Sequence, residues 1–275
     1  MDTPSGFKIG LYVDSQNIYK CGGSNMRYDI LREFACRDGS EPIRLNAYVS
    51  YDAERAKKDI NFKLKTEKFH SAIRSFGYKV ILKEVKWYQD EDGIRYPKSN
   101  ADLDLAVDLL NQSKNLDKVT LVTGDGDFVK VVTSVQNQGC RVEVIAMDNV
   151  SSELKREADL FLSGYLIPNL VPINSACPWG EVGSTVRGLC YYYNEDKGFG
   201  YLRYMTRISP HLWVSDTSSP DCPFKTAFFH FSNLPKSVDT SRLPNYHDIF
   251  EFSLAKSKRK EGYMDAENIQ HINGE

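Results

Sequence analysis

Residues Val119–Phe128 read VTLVTGDGDF, and this stretch decides the fold class of the first half of the chain. Its first five residues, Val119–Thr123, form a continuous run that is typical of a strand buried on both faces of a parallel sheet. The run ends at a Gly-Asp-Gly-Asp turn that leads into a further apolar segment. Ligands of open parallel sheets bind beyond the carboxyl ends of the strands, so Asp125 and Asp127 stand where chemistry is expected.

Similar runs recur on both sides of this stretch and alternate with amphipathic segments. They predict strands at Lys8–Asp14, Arg44–Tyr51, Lys79–Glu84, Val119–Thr123 and Arg141–Ala146. Helices are expected near Ser15–Cys21, Ala53–Phe76, Ala101–Gln112, Phe128–Gln138 and Ser151–Leu162. The alternation is typical of an α/β fold, here a Rossmann-like parallel sheet with flanking helices. The segment Val85–Pro97 predicts a hairpin before the third helix, because it places Asp-Gly between β-rich flanks.

The second half of the chain differs from the first. Residues 168–182 include three prolines, which oppose a continuous helix or a central strand. We interpret them as a linker between a domain at residues 1–167 and a domain at residues 183–275. Beyond the linker, aromatic-rich alternating segments such as Gly188–Leu202 and Ala227–Phe231 predict a small all-β domain.

The amino-acid composition excludes several classes of protein. The 275 residues are 41% hydrophobic and 26% charged, which excludes disordered, collagenous and coiled-coil chains. Because we find no secretory leader pattern and no run of ~18 apolar residues, we expect a cytoplasmic protein with no membrane partner. The six cysteines lack a C-x-x-C pair, so reduced thiols are expected rather than a zinc site or a disulfide framework. No glycine fingerprint follows the first strand, so no nucleotide cofactor is expected.

The charge balance restricts how nucleic acid could be bound. The net charge is −2, and residues 182–275 hold 11 Lys and Arg against 11 Asp and Glu. Bulk attraction to phosphates is therefore excluded as the main source of affinity. Any nucleic-acid contact has to use local patches and stacking.

Carboxylates follow several of the predicted strands. Asp14 ends the first strand in YVDSQN, and Asp125 and Asp127 follow the fourth. The helical stretch KSNADLDLAVDLL adds Asp102, Asp104 and Asp108. Carboxylates that converge repel one another unless a cation neutralises them, and oxygen-only ligation suits Mg²⁺ or Mn²⁺. Such an ion can lower the pKa of bound water and hold a phosphate for in-line attack, which suits phosphodiester hydrolysis.

Two alternatives stay open for these acids. Any Asp after a strand can be only a helix N-cap, because its side-chain oxygen accepts from free backbone amides, and this applies to Asp14 and Asp127. In the helix, either Asp104 and Asp108, spaced i and i+4, share the face toward the site, or Asp102 reaches it from the helix start.

These motifs, in this order, carry a family resemblance. They are VDSQNIY at residues 13–19, K-x-x-x-D at Lys98 and Asp102, the [ST]-GD-x-DF signature at Thr123–Phe128, and a late S-x-x-L-x-x-x-x-D-x-F segment ending at Phe161. Residues 6–166 resemble the NYN (LabA-like) branch of the PIN-fold nucleases. Where that family usually has K-G-V-D, this chain has KSNAD, which is one residue longer.

The resemblance implies a metal-dependent ribonuclease. Its catalytic and metal-binding residues would be Asp14, Asp102, Asp125 and Asp127, which would hold Mg²⁺ or Mn²⁺. Asn17 would be a polar positioning group, and Asp104 and Asp108 are secondary acidic candidates.

The C-terminal segments carry a second resemblance. Over about residues 184–272, the stretches GLCYYYN (Gly188–Asn194), KGFGYL (Lys197–Leu202) and AFFHFS (Ala227–Ser232) resemble the cold-shock domains, a branch of the OB-fold barrels. Alternation places Phe199 with Tyr201 on one strand face, and Phe228 with His230 on one face of another, where bases could stack. The RNA-binding candidates are Tyr192, Lys197, Phe199, Tyr201, Phe228, His230 and Phe231.

Two further interpretations bear on the barrel. The rings could instead form a hydrophobic core, because one alternate set of side chains must fill a barrel this small. A basic loop, formed by Lys256, Lys258, Arg259 and Lys260, could contact phosphates or only keep a turn solvated.

The sequence therefore predicts a metal-dependent ribonuclease that hydrolyses single-stranded RNA presented by its C-terminal barrel. The alternative, from a different class, is a non-catalytic RNA-binding regulator with a vestigial nuclease pocket.

Overall fold

The computed structural model describes residues 6–90, 92–257, 259 and 261–272. By their contacts they form two compact units, which divide between Ser163 and Gly164. All six cysteines are unpaired; three are buried and three are partly exposed. Within the described residues, no helix combines the length and the apolar character needed to span a bilayer.

Unit 1 is an α/β domain with one parallel sheet. Its strands are β1 (Lys8–Asp14), β2 (Glu41–Tyr51), β3 (Lys79–Glu84), β4 (Lys86–Gln89), β5 (Arg95–Lys98), β6 (Lys118–Val122), β7 (Arg141–Ala146) and β8 (Leu160–Ser163). Its helices are α1 (Ser15–Lys20), α2 (Tyr28–Ala35), α3 (Ala53–Lys58), α4 (Ile60–Ser75), α5 (Ala101–Gln112), α6 (Val129–Gln136) and α7 (Ser152–Glu157). The sheet has six strands in the order β3-β2-β1-β6-β7-β8, and all neighbours pair in parallel. The predicted parallel sheet with flanking helices is confirmed.

The centre of the sheet is buried on both faces, as the apolar runs of its strands require. Every residue of β6 is buried, and β1 is buried from Ile9 onward. One core cluster joins the sheet to α5 and α6 and includes Tyr12, Leu109, Leu121 and Val132.

The strand order reverses between β1 and β6. Strands β1, β2 and β3 run outward to one edge, and β6 then returns to the other side of β1. The carboxyl ends of β1 and β6 therefore flank the switch point of the sheet, where open α/β sheets bind ligands. Asp14 is the last residue of β1, and Thr123 follows β6 directly.

Three local features differ from the sequence predictions. Helix α2 was not predicted, although its buried side chains recur at helical spacing. The helix predicted at Ala53–Phe76 is two helices, because Asp59 ends α3 and caps α4 by accepting from Phe62 N at 3.0 Å. The helix predicted at Ser151–Leu162 is wrong in its second half: α7 ends at Glu157, and β8 then pairs with β7.

The predicted hairpin lies between β3 and α5. Strands β4 and β5 pair antiparallel in a sheet of two strands, with Tyr88 opposite Tyr96. All of its described side chains are exposed, so no core covers either face of this hairpin.

Unit 2 contains a closed barrel of five strands in the order β10-β11-β13-β12-β9. They are β9 (Thr185–Asn194), β10 (Phe199–Met205), β11 (Phe224–His230), β12 (Ile249–Lys256) and β13 (Met264–His271). The barrel is mixed, because β11 and β13 pair in parallel whereas the other neighbours are antiparallel. Its interior includes Leu202, Phe229, Phe250 and Phe252. This architecture is consistent with the predicted OB-like domain.

The segment interpreted as a linker is packed within unit 2. Leu170 is fully buried, and the Trp179 indole donates to the Met205 carbonyl at 2.7 Å. Arg187 donates to the Val171 carbonyl at 3.1 Å. By these contacts, residues 168–182 group with the barrel.

Candidate functional site

Asp14 is the buried acid at the switch point. It ends β1 and caps α1, because its Oδ1 accepts from the backbone amide of Asn17 at 3.0 Å. The Thr123 hydroxyl donates to its Oδ2 at 3.4 Å. Val13 pairs with Val122 across the ladder, so Asp14 and Thr123 are the next residues on two adjacent strands. Both oxygens of the Asp14 carboxylate thus accept hydrogen bonds from protein groups.

The turn after β6 is fixed by short polar contacts. The Gly124 amide donates to Asn17 Oδ1 at 2.9 Å, and the Asp125 amide donates to the Thr123 hydroxyl at 3.3 Å. The Asp127 amide donates to Asp125 Oδ1 at 3.0 Å. A Cβ at Gly126 would lie 2.9 Å from Ser151 Oγ, so a larger residue there would displace the turn. Asn17 therefore joins the start of α1 to the Gly-Asp-Gly-Asp turn.

The carboxylate of Asp14 lies in an environment that disfavours its charge. Burial raises its pKa, and the negative charges of Asp125 and Asp102 raise it further. The amides of Asn17 and Gln16 act in the opposite direction, but the net shift is upward. A positive charge placed beside Asp14 would relieve this penalty.

The structure distinguishes the three acids of α5. Asp102 is the one whose charge acts on Asp14. Asp104 is bound to Lys83, with nitrogen to oxygen distances of 2.8 and 2.9 Å. Asp108 accepts from the Tyr48 hydroxyl at 2.8 Å. Asp104 and Asp108 thus bind other side chains, and Asp102 as the acid that reaches the site from the helix start stays a prediction.

Among the described residues, the predicted metal ligands are not gathered around one point. Asp127 is exposed. In the part of the chain that the structure describes, no three His, Cys, Asp or Glu side chains are close enough to hold one ion together. Asp14 and Asp125 are therefore the first candidates for ligands, and Asp102 and Asp127 remain predicted ones.

The barrel presents one aromatic outer face. In the ladder, Phe199 lies opposite His230, Tyr201 lies opposite Phe228, and Tyr192 lies opposite Tyr201. Residues opposite one another share a sheet face, so these five rings form one surface, which we call the aromatic platform. The intervening residues of β10 and β11 are Gly200, Leu202, Ala227 and Phe229, which are buried. The platform rings are thus not the alternate set that fills the core.

The platform rings contact one another and border a groove. Phe199 and Phe228 are stacked with centroids 5.7 Å apart, and Tyr201 meets Phe228 edge-on at 5.8 Å. Tyr192 lies 6.0 Å from Tyr201. The groove encloses about 400 Å³ and is lined by Lys197, Phe199, Tyr201, Thr226, Phe228, His230, Ser257, Arg259, Tyr263 and Met264.

Arg259 is the side chain of the basic loop that reaches this groove among the described residues. The Arg259 guanidinium lies 3.5 Å from the centroid of the Phe228 ring. Lys258 and Lys260 lie outside the described residues. Phe231 is 52% exposed, and its ring would be 2.6 Å from a Cβ at Gly198, so glycine is needed at that position.

Comparison with known proteins identifies the family. The model of the NYN domain family matches residues 8–168, which is more than half of the chain. The chain belongs to the NYN domain family. The matched NYN region contains the whole acidic site, from Asp14 to Asp127, whereas the barrel lies beyond it.

The chain is also similar to individual proteins. The chain is 26% identical over 162 residues to the Low amplitude and bright protein LabA of Synechococcus elongatus, covering 56% of this chain and 82% of that protein. A solved structure, that of a protein of unknown function from Vibrio parahaemolyticus, is 26% identical, with a TM-score of 0.47. The match covers 59% of this chain and 96% of the Vibrio parahaemolyticus chain. Family membership supports a PIN-like domain related to nuclease and RNA functions.

Two functional candidates were not singled out from the sequence. In the sequence Thr123 is only one position of the NYN signature, but its hydroxyl contacts both Asp14 and the Asp125 backbone. Its place directly after β6 was the available signal. Arg259 was assigned only to a basic loop, and no local pattern places it over Phe228, which is 31 positions earlier in the chain.

Proposed function

We propose that this NYN protein is a metal-dependent ribonuclease that hydrolyses phosphodiester bonds of single-stranded RNA, and that its barrel binds the strand. One observation carries the proposal. The Thr123 hydroxyl lies between the Asp14 carboxylate and the Asp125 backbone at the switch point, where the charges of Asp125 and Asp102 also act on Asp14. Acids gathered at this edge of a sheet suit a phosphodiesterase better than a structural role.

The residues present fit Mg²⁺ or Mn²⁺. Mg²⁺ is commonly held by one or two carboxylates, with waters and substrate phosphates completing its shell. Asp14 and Asp125 supply that number, and the charge of Asp102 also acts on Asp14. Asp102 and Asp127 are the further ligands that the family resemblance implies. When bound, such an ion lowers the pKa of water and neutralises charge on the phosphate.

The protein's own groups contribute positioning. Asn17 holds the turn through the Gly124 amide, and Thr123 holds the Asp14 oxygen. These contacts keep the two carboxylates in fixed places before substrate arrives, which reduces the reorganisation that the reaction requires.

The aromatic platform supports the binding part of the proposal. Bases stack on exposed rings with little sequence demand, and each stacked base contributes roughly 1–3 kcal/mol. Arg259 adds a cation at the edge of the groove, beside Phe228. Because the charge of residues 182–275 is balanced, stacking rather than bulk attraction is the main source of affinity.

The test is cleavage of labelled single-stranded RNA with Mn²⁺, with Mg²⁺ and with EDTA. Asp14→Asn should lose cleavage, because it removes the buried charge while asparagine can still cap α1. Asp59→Asn is the matched control, since Asp59 caps α4 with the same 3.0 Å contact but lies outside the acidic site. Equal cleavage by wild type and Asp14→Asn would refute the assignment.

A second function is favoured by one observation. No three acidic side chains are gathered tightly enough, among the described residues, to hold an ion jointly. A non-catalytic RNA-binding regulator would retain the platform and use the NYN pocket only as a scaffold. The same assay separates the two, because the regulator would bind RNA without cutting it under any metal condition. The cytoplasmic location stays a prediction.

A further inference from the structure

The β4–β5 hairpin carries a side-chain arrangement that the nuclease site and the platform do not explain. Residues two apart on a strand, and residues directly opposite across the ladder, share a face. Tyr88 is opposite Tyr96 and Lys86 is opposite Lys98, so all four lie on one face, which we call the tyrosine face. The two tyrosine rings are stacked at 6.1 Å and 26°, and each is 45% exposed.

Among the described residues, the opposed lysines of the tyrosine face have no carboxylate partner. Like charges directly opposite one another destabilise a strand pair. Among the residues that the structure describes, no carboxylate lies within 4.0 Å of either ammonium group. An anion bound between Lys86 and Lys98 would offset this repulsion. The rung of lysines lies about 7 Å from the rung of tyrosines, which is the rise of two residues along a strand.

The other face of the hairpin is already engaged. Arg95 lies over the Trp87 ring at 5.4 Å and reaches Glu54 at 3.6 Å. Arg95 therefore has a ring and a carboxylate as partners, whereas the lysines on the tyrosine face have neither within the part of the chain that the structure describes. The tyrosine face is therefore the face of the hairpin that suits an anionic ligand.

The root of the hairpin lies beside the acidic site. The Ser99 hydroxyl is 2.9 Å from the Ser50 hydroxyl, which is 2.6 Å from Gln16 Oε1, two residues after Asp14. The lysine rung is at this root, and the acidic turn with Asp90 and Asp92 is at the opposite end. A phosphate chain would be attracted to the root and repelled from the tip.

We infer that the tyrosine face is a second binding site for single-stranded nucleic acid, in which a base stacks on Tyr88 or Tyr96 and a phosphate is bound by Lys86 and Lys98. Stacked aromatic rings beside paired cations are what single strands require. The biological role of this second site rests on the proposed function. A strand bound to the tyrosine face would pass the root of the hairpin and continue toward Asp14.

The test uses the full-length chain carrying Asp125→Asn, in EDTA, with an oligouridylate containing 4-thiouridine. After irradiation, cross-linked peptides are identified by mass spectrometry. We expect adducts within residues 86–98, and their loss in a chain that also carries Tyr88→Ala and Tyr96→Ala. That double change should weaken binding by about 5- to 150-fold, which corresponds to the loss of one stacked base.

A matched pair of charge variants separates the two faces. Lys98→Gln and Arg95→Gln each remove one positive charge from β5, but only Lys98 lies on the tyrosine face. Lys98→Gln should reduce the slope of log K against log salt by about 0.7, whereas Arg95→Gln should leave it nearly unchanged. Circular dichroism checks that each variant is folded, which we expect because all of these side chains are exposed.

The outcomes are distinguishable from failure of the nuclease proposal. Hairpin adducts with a wild-type protein that never cleaves would support this inference and refute the nuclease. Cleavage by wild type, with no adduct in residues 86–98 and unchanged affinity of the tyrosine variants, would overturn only this inference. It would also be overturned if those variants bound RNA normally but lost self-association in sedimentation, since the face would then be a protein interface.

Discussion

Replacement of Phe199 by alanine tests the aromatic platform most sharply. Phe199 stands in the middle of the surface, stacked on Phe228 at 5.7 Å and within 6.2 Å of Tyr192 and Tyr201. Its ring is half-buried, so it can present one side to a base. The alanine variant removes that side and leaves the buried core behind it, including Phe229, in place.

The expected magnitude follows from the loss of one stack. A base stacked on an aromatic ring contributes roughly 1–3 kcal/mol, so Kd for single-stranded RNA should rise by about 5- to 150-fold. Phe228→Ala should have an effect in the same range. Because the two rings touch, the double variant should lose less than the sum of the two single effects. The slope of log K against log salt should stay shallow, at about −1.4 to −2.8 for ~2–4 neutralised phosphates.

Fluorescence anisotropy of the full-length Asp125→Asn chain in EDTA, across a salt series, measures both quantities. Tyr246→Ala is the control, since Tyr246 is 68% exposed and is not a platform residue. Thermal melting of Phe199→Leu, which keeps an apolar side chain, distinguishes lost stacking from lost folding. Normal RNA affinity in folded Phe199→Ala and Phe228→Ala, together with a steep salt slope, would refute the stacking argument.

Three further predictions concern stability and positioning. Burial opposes ionisation of Asp38, but the hydrogen bond and charge of the buried Lys118, at 2.5 Å, outweigh it and lower the pKa of Asp38 below 3.8. Ionised Asp38 therefore stabilises the fold at pH values above its lowered pKa. Asp38→Asn should lower the free energy of unfolding by about 1–3 kcal/mol at pH 7. In chemical denaturation, this difference from wild type should shrink as the pH falls through the lowered pKa. Gly200→Ala should lower the melting temperature, because the added Cβ would lie 2.5 Å from the Tyr192 carbonyl oxygen and 2.6 Å from the Phe229 ring. An unchanged melting temperature would show that the barrel backbone can shift to accommodate the methyl group. Asn17→Ala should reduce the RNA cleavage rate by roughly 10- to 100-fold with little change in RNA binding, since it frees the Gly124 amide from its acceptor; equal rates would mean that this contact positions nothing.

The sequence identified the elements whose signal is local. Strand β6 was visible because a strand buried on both faces must be apolar throughout. The sharing of one face by Phe199 and Tyr201 followed from the two-residue period of a strand. Their place on the outer face was predicted with the stacking interpretation, and the closed barrel bears it out by taking the other alternate set of side chains as its core.

The unpredicted features depend on partners far away in sequence. The sequence could not show that Asp104 is paired with Lys83, which binds it from the end of β3. The second half of the helix predicted at Ser151–Leu162 was wrong because Asp159 is drawn into the sheet, where it accepts from Val142 N at 2.7 Å. Helix propensity in a short segment yields to such a pairing.

The central claim is that Asp14 and Asp125 act together with a divalent metal ion to cut RNA. Its most direct measurement is the cleavage rate of labelled single-stranded RNA, with Mn²⁺ and with EDTA, by wild type and Asp125→Asn purified identically. The account predicts cleavage only by wild type with Mn²⁺, while both proteins bind RNA with similar affinity through the platform. Equal cleavage by the two proteins, or cleavage that persists in EDTA, would contradict it.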